Sequence, residues 1–415
     1  MKKSTITCDM EGRILTMNDG AVQIFGYSKE EIIGKKRVSL FSPGEIVLQN
    51  VAGWLDDAVK HGEYVGKTYF INKNKEKINA KIRITPTFAN GKDKAQTGYC
   101  GVTEVINDDV EVPINFSTKL IKGLAITRMP FTSASILPIL AVGAYFAGVG
   151  DNLFNVTNFI LCIIGVMIAH LGVNVLNDYF DVKDGTDEAN SDYFQQVSGG
   201  SRAIELGLIS LSGTKKLGLI LTAVALLIGG IVLLSTNPAN LNSVIYIGLA
   251  GLFLGYFYTA PPLRLVAKKG LGELTIFLAF GPLITLGTAF AIFNGDLSSI
   301  DHNHLMNCLL IGVPMGLLTT NILLINEFPD MKSDMKTNKN HLVVTFGKKA
   351  SRWIYLLVLA LAIYSTYVLA SSLGNNKLLI PLALLILYGG YIFSVLYKKY
   401  ETRKLVSANW GTITL

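Results

Sequence analysis

The chain has 415 residues, of which half are apolar and only 16% charged, and its mean hydropathy is +0.42; soluble proteins carry about a quarter charged residues, so an ordinary soluble enzyme is excluded for most of its length. The net charge of +7 does not mark a nucleic-acid binder, because Lys and Arg form no contiguous patch interleaved with aromatics. Cys8, Cys100, Cys162 and Cys308 are too far apart in sequence for a metal knuckle or a redox pair, so no disulfide framework is expected.

Met1-Lys2-Lys3-Ser4 is followed by no apolar stretch, so no signal peptide is expected. Residues 1–110 are rich in Lys, Glu, Asp and Asn and read as mixed α/β. Gly12 to Met17 predicts a turn and a short strand. Ala21 to Tyr27 and Ser28 to Ile33 predict short helices, the second with Ser28 as N-cap and Glu31 at the capping-box position. Val47 to His61 has helical periodicity and stops at Gly62. Tyr64 to Asn72, Lys77 to Phe88 and Thr97 to Ile106 are strand-like runs, separated by Asn74-Lys75 and Asn90-Gly91.

The words D-x-x-G-R-I (Asp9 to Ile14), Asn18, F-G-Y-S-x-E-E-I-I-G (Phe25 to Gly34), I-T-P-T (Ile84 to Thr87) and G-Y-C-G-V (Gly98 to Val102) follow in the order of a PAS domain. Residues 1–107 therefore resemble a PAS-like sensor domain. Its ligand is unknown from sequence, and it could pair two copies of the chain into a homodimer. His61, at a helix end, reads as a solvated or capping histidine rather than a haem ligand. Residues 108–118 are polar and read as a linker.

Eight apolar runs follow, each long enough to cross a bilayer: 129–149, 158–177, 217–235, 243–260, 273–294, 305–325, 353–373 and 378–397. The connections after the even-numbered runs hold seventeen Lys and Arg; those after the odd-numbered runs hold one, Lys377. This asymmetry predicts a multi-pass protein of the cytoplasmic membrane, with even-numbered loops and both termini in the cytoplasm.

The carboxylates carry the chemistry. The second run ends in Asn177-Asp178-Tyr179-Phe180-Asp181, followed by Asp184 and Asp187. The sixth ends in Asn326-Glu327-Phe328-Pro329-Asp330, followed by Asp334. Both read N-[DE]-x-x-D, as if an ancestral unit were doubled. Asp178 and Asp181, or Asp330 and Asp334, share a helix face. Facing anionic clusters need cations, and hard oxygen donors suit magnesium, which is typically held by a few carboxylates plus substrate phosphates. Two clusters suit two magnesium ions around one diphosphate. Arg202, Arg264, Lys268 and Lys339 are the candidate contacts for the remaining phosphate oxygens.

At residues 119–405 the resemblance becomes specific. N-D-x-x-D after the second helix and D-x-x-x-D after the sixth are similar to the UbiA-type superfamily of intramembrane prenyltransferases. The words T-R-M-P-F (Thr127 to Phe131), S-G-G-S-R with G-L-I-S (Ser198 to Ser210), Y-T-A-P-P (Tyr258 to Pro262), G-L-G-E (Gly270 to Glu273) and K-N-H-L-V-V-T-F-G (Lys339 to Gly347) resemble its 1,4-dihydroxy-2-naphthoate branch, as does Gly185 where other branches carry the third Asp. A Y-x-x-x-K motif of some members is absent, since Pro262 stands four residues beyond Tyr258.

The resemblance implies an all-α helical membrane bundle. Its eight spans are clear, and the ninth helix of the family falls in the tail 406–415, too short to span. It implies transfer of a polyprenyl chain from its diphosphate to an aromatic acceptor. Asp178, Asp181, Asp330 and Asp334 are the expected metal ligands. Arg202 and Lys339 are the foremost diphosphate contacts, and Asn177, Asp187, Asn326 and Tyr258 the supporting residues. The alternatives are a sister enzyme acting on a phenazine, 4-hydroxybenzoate or a glycerol phosphate lipid, and a PAS-linked sensor whose core binds a quinone or lipid without catalysis.

Overall fold

The computed structural model describes residues 3–91, 93–149, 153–190, 198, 200–299 and 302–415. The chain divides into two compact units. The first is Met1–Ile126 with Arg202–Ser210, the second Thr127–Ser201 with Leu211–Leu415.

The first unit is built on one antiparallel sheet of five strands, β1 Lys3–Asp9, β2 Ile14–Met17, β3 Tyr64–Ile71, β4 Lys77–Thr87 and β5 Gly98–Val105, in the order β2-β1-β5-β4-β3. Four of these strands fall on the runs read from sequence, and β1 is an addition. Helix α1 (Asp19–Phe25) starts where the Asn18 side chain accepts the Ala21 N–H and stops at the left-handed Gly26. Helix α2 (Lys29–Ile32) carries both halves of the Ser28–Glu31 capping box. Helix α3 (Ala52–His61) ends at Gly62, where His61 is exposed with its Nδ1 3.2 Å from the Asp57 carbonyl.

Ile6, Ile14, Phe25, Ile32 and Phe41 form one core cluster; Ile46, Trp54, Ala80 and Ile82 form another. Cys8 lies in the sheet, and burial pushes its thiol up to about 11, which keeps it unreactive. The stretch read as a linker is partly packed: Val112 and Ile114 lie on the second cluster. Asn115 donates its N–H to Gln49 at 3.0 Å, and Lys122 of helix α4 (Phe116–Thr127) pairs with Glu45 at 2.7 Å. Apolar residues at alternate positions, Val110, Val112 and Ile114, explain why this polar stretch does not stay in solvent.

Residues Arg202–Ser210 fold with this sheet domain. Ala203 and Leu208 are buried, and the Leu206 carbonyl and Leu208 side chain stand where a Cβ on Gly44 would project.

The second unit is helical: α5 Ser133–Val149, α6 Val156–Lys183, α7 Leu211–Ser235, α8 Leu241–Phe257, α9 Leu271–Leu278, α10 Ile284–Ile292, α11 His302–Lys336, α12 Leu342–Ser372, α13 Leu379–Lys399 and α14 Val406–Thr414. Helices α9 and α10 form one span through a π-turn holding Pro282. Eight helices among the described residues are long and apolar enough to cross a membrane, and with the family evidence below this is a multi-pass membrane protein. Helix α6 packs along α7, and α11 along α12. A Cβ on Gly281 would meet Gly312 and Gly316 backbone, so small residues set that close helix approach.

The tail read as too short to span is the nine-residue helix α14. Pro329 inside α11 has no N–H for the Ile325 carbonyl one turn back. Asn409 of α14 donates its Nδ2 to that carbonyl at 3.1 Å and to Asn326 Oδ1 at 2.8 Å. The short helix thus satisfies a backbone acceptor that the proline strands.

Candidate active site between two acidic helix ends

Helix α6 runs on through Lys183, so Asp178 and Asp181 occupy its last two turns; helix α11 runs through Lys336 and carries Asp330 and Asp334 on its own last turns. Both helix ends open on one cavity of about 130 Å³. Asp181, Asp187, Asp330, Asp334 and Lys339 all line it.

Each carboxylate has a distinct second partner. Asp178, expected as a metal ligand, is not among the residues that line the cavity; it is only 5% exposed, and its Oδ1 accepts the Ser201 N–H at 3.3 Å. Gly200, with φ +75°, lies against that oxygen, and a Cβ there would approach it to 2.9 Å. Asp330 Oδ1 accepts from Asn190 Nδ2 at 2.8 Å and Ser198 Oγ at 3.0 Å. Asp334 Oδ2 lies 3.0 Å from His341 Nε2. Lys339 Nζ is 3.8 Å from Asp181 Oδ2. Burial works against the Lys339 ammonium, yet Asp181 and Asp334 outweigh it and hold the lysine well above its ordinary range. His341 is likewise opposed by burial, but Glu327 and Asp334 push it up to about 9.

The supporting residues read from sequence also reach this place. Asn177 Oδ1 accepts from Thr259 Oγ1 at 2.6 Å. Asn326 is held by Asn409, and Tyr258 lines the cavity with its hydroxyl pushed up by burial.

Lys339 is the basic candidate that lines the cavity. Arg264 does not line the cavity and pairs with Asp184 at 3.1 Å. Lys268 is exposed and does not line it. Arg202 belongs to the other compact unit, where it is buried and pairs with Glu205 at 3.2 Å. A loop cation's destination is decided by the nearest carboxylate, which charge counting does not locate. Gly199 of the S-G-G-S-R run lies outside the described residues.

Sequence reading passed over Arg128, Asn190, Thr259 and His341, which also line the cavity. For His341 a signal existed, since it stands two residues beyond Lys339 in the K-N-H-L run.

The UbiA prenyltransferase family profile matches residues 135–412, and a PAS domain profile matches residues 2–108. The chain is 27% identical over 290 residues to the chloroplastic 2-carboxy-1,4-naphthoquinone phytyltransferase of Arabidopsis thaliana, covering 69% of this chain and 68% of that one. It is 27% identical over 292 residues to the 1,4-dihydroxy-2-naphthoate octaprenyltransferase of Haemophilus influenzae, covering 69% and 89%. A solved structure of a UbiA homolog from Archaeoglobus fulgidus bound to DMAPP and Mg2+ aligns over 71% of this chain and 99% of that one, at 14% identity and a TM-score of 0.49, a distance at which it carries no argument about the site.

Proposed function

This chain belongs to the UbiA prenyltransferase family, with a PAS domain at its N-terminus, and from that premise we propose that it moves a polyprenyl chain from its diphosphate to 1,4-dihydroxy-2-naphthoate. The observation that carries the reading is the meeting of Asp181, Asp330, Asp334 and Lys339 in one cavity. Relatives named for naphthoate substrates support the acceptor.

The donor set fits magnesium. Asp181, Asp187, Asp330 and Asp334 offer hard carboxylate oxygens to one space, and no Cys lines it. These carboxylates would hold magnesium, which would supply positive charge that eases the departure of the diphosphate. Lys339 binds a further phosphate oxygen and stabilises the charge that develops on it. Asn190 and Ser198 orient Asp330, and His341 orients Asp334. The allylic carbon–oxygen bond breaks and its electron pair leaves with the diphosphate. A ring carbon then gives an electron pair to the prenyl C1, and loss of the carboxyl group as CO2 returns a pair to the ring. By the charge pattern of the loops, this mouth faces the cytoplasm.

The PAS domain acts on this reaction through the segment Arg202–Ser210. That segment lies one residue past Ser201, whose N–H caps Asp178, and it folds as part of the sheet-domain unit. A ligand that binds two PAS states with different affinity would shift the segment.

The test is to incubate membranes containing the protein with labelled polyprenyl diphosphate and a panel of aromatic acceptors, and to identify products by mass. A decarboxylated prenyl naphthalene product is expected. Transfer to 4-hydroxybenzoate or a phenazine alone would remove the acceptor assignment, and no transfer to any acceptor would remove the reaction.

A further inference from the structure

Three buried groups, two of which line the cavity, are not consumed by the proposed reaction: Glu273 at the start of α9, Glu327 in α11 and His341 at the head of α12. They are 3%, 5% and 1% exposed. One ligand atom from each can be chosen so that all lie within 4.8 Å of one another.

The imidazole is aimed from both sides. Its Nε2 lies 3.0 Å from Asp334 Oδ2 and its Nδ1 3.1 Å from Glu327 Oε2. The Val344 N–H also points at Nδ1, from 3.4 Å.

The carboxylates carry an independent sign. Glu327 Oε1 and Glu273 Oε2 receive no hydrogen bond among the described residues, although both side chains are more than nine-tenths buried. Glu273 Oε1 accepts the Leu342 N–H at 2.7 Å, and Glu327 Oε2 faces His341 Nδ1. Buried carboxylates left this way are unfavourable unless they are paired or coordinate a metal.

We propose that Glu273, Glu327 and His341 Nδ1 bind one divalent transition-metal ion, with zinc the expected occupant and manganese or iron acceptable by donor type. An imidazole nitrogen with two carboxylates suits these borderline ions, whereas magnesium prefers all-oxygen sites. Asp334 on Nε2–H completes the carboxylate–imidazole–metal relay that fixes tautomer and ring angle at such sites. The ion would therefore hold Asp334 in position from behind, while leaving the cavity face of that carboxylate to the substrate. The rival occupant is a proton shared between imidazole and carboxylate.

The experiment reads metal directly, so its failure leaves the proposed reaction standing. Full-length protein purified in detergent is stripped with chelator, returned to millimolar magnesium, and titrated with Co2+ as a spectroscopic probe and with Zn2+. Expected are about one equivalent bound per chain, visible d–d absorption from an imidazole-containing Co2+ site, and a rise in unfolding temperature with Zn2+. Glu273→Gln and Glu327→Gln should each weaken binding by about tenfold or more. Asp181→Asn should leave it intact. Wild-type protein that takes up no Co2+ or Zn2+ beyond the amount bound by Glu327→Gln, with no thermal shift, overturns the proposal in favour of the proton. That wild-type measurement decides the matter even where a variant fails to fold.

Discussion

The Lys339 ammonium lies 3.8 Å from Asp181 Oδ2, which joins the loop after α11 to the end of α6 across the candidate diphosphate cavity. At that distance in a buried site the attraction is larger than a surface pair supplies, but the geometry is loose enough for a phosphate oxygen to take the lysine over. Lys339→Ala is expected to raise KM for the prenyl diphosphate and lower kcat/KM by about a hundredfold, a loss of ~3 kcal/mol in transition-state binding. Lys339→Arg should recover part of it. Steady-state kinetics that show unchanged KM for the diphosphate would take Lys339 out of the site.

Asp181→Asn and Asp330→Asn should each abolish transfer while the protein still extracts and unfolds as the wild type does. Asp296→Asn, in the loop after the fifth span, should leave the rate within about twofold, since a half-buried loop position away from the chemistry tolerates such a change. Equal losses in all three variants would mean that the two-motif reading is wrong.

Divalent metal should be obligatory for turnover. Excess chelator is expected to stop transfer, and added Mg2+ or Mn2+ to restore it, because oxygen donors of this kind hold diphosphate through a metal. Full turnover in chelator is the result that refutes this.

Gly44→Ala tests the coupling of the sheet domain to the segment Arg202–Ser210. The added methyl meets the Leu206 carbonyl and Leu208, so the segment must move while the sheet core is untouched. Transfer should persist with KM for the diphosphate changed by about threefold to tenfold, and proteolysis within the segment should quicken. A chain starting at Asn115 should show the same direction of change, since it removes the surface on which the segment packs. Unchanged kinetics in both proteins would leave the PAS domain without a part in the reaction.

Asn409→Ala tests the short last helix. It removes both donors that reach Ile325 and Asn326, and a buried acceptor left without a partner costs about 1–3 kcal/mol. A fall in unfolding temperature is expected, along with a lower transfer rate because Asn326 loses its anchor. A variant as stable as the wild type would show that water satisfies the Ile325 carbonyl instead.

The local features were legible in the chain by itself. Ser28 with Glu31, and Gly62, punctuate the first unit because capping depends on residues a few positions apart, whereas the helix read through to Tyr27 stops at Gly26. The spans declare themselves because a bilayer demands about twenty apolar residues in a row. The acidic motifs could be read because i, i+3 and i, i+4 spacings are set by the helix alone. Other relationships depend on which helix ends pack together. Lys339 meets Asp181, and Glu273 joins Glu327 and His341, through contacts between residues far apart in the chain. Arg264 turns to Asp184, Lys268 stays exposed, and Arg202 folds with the sheet domain. Loops have no period from which to read a direction, and a long basic side chain goes to the carboxylate that packing brings near. Sequence determined the elements and the chemistry available to them, while tertiary packing decided which charges meet.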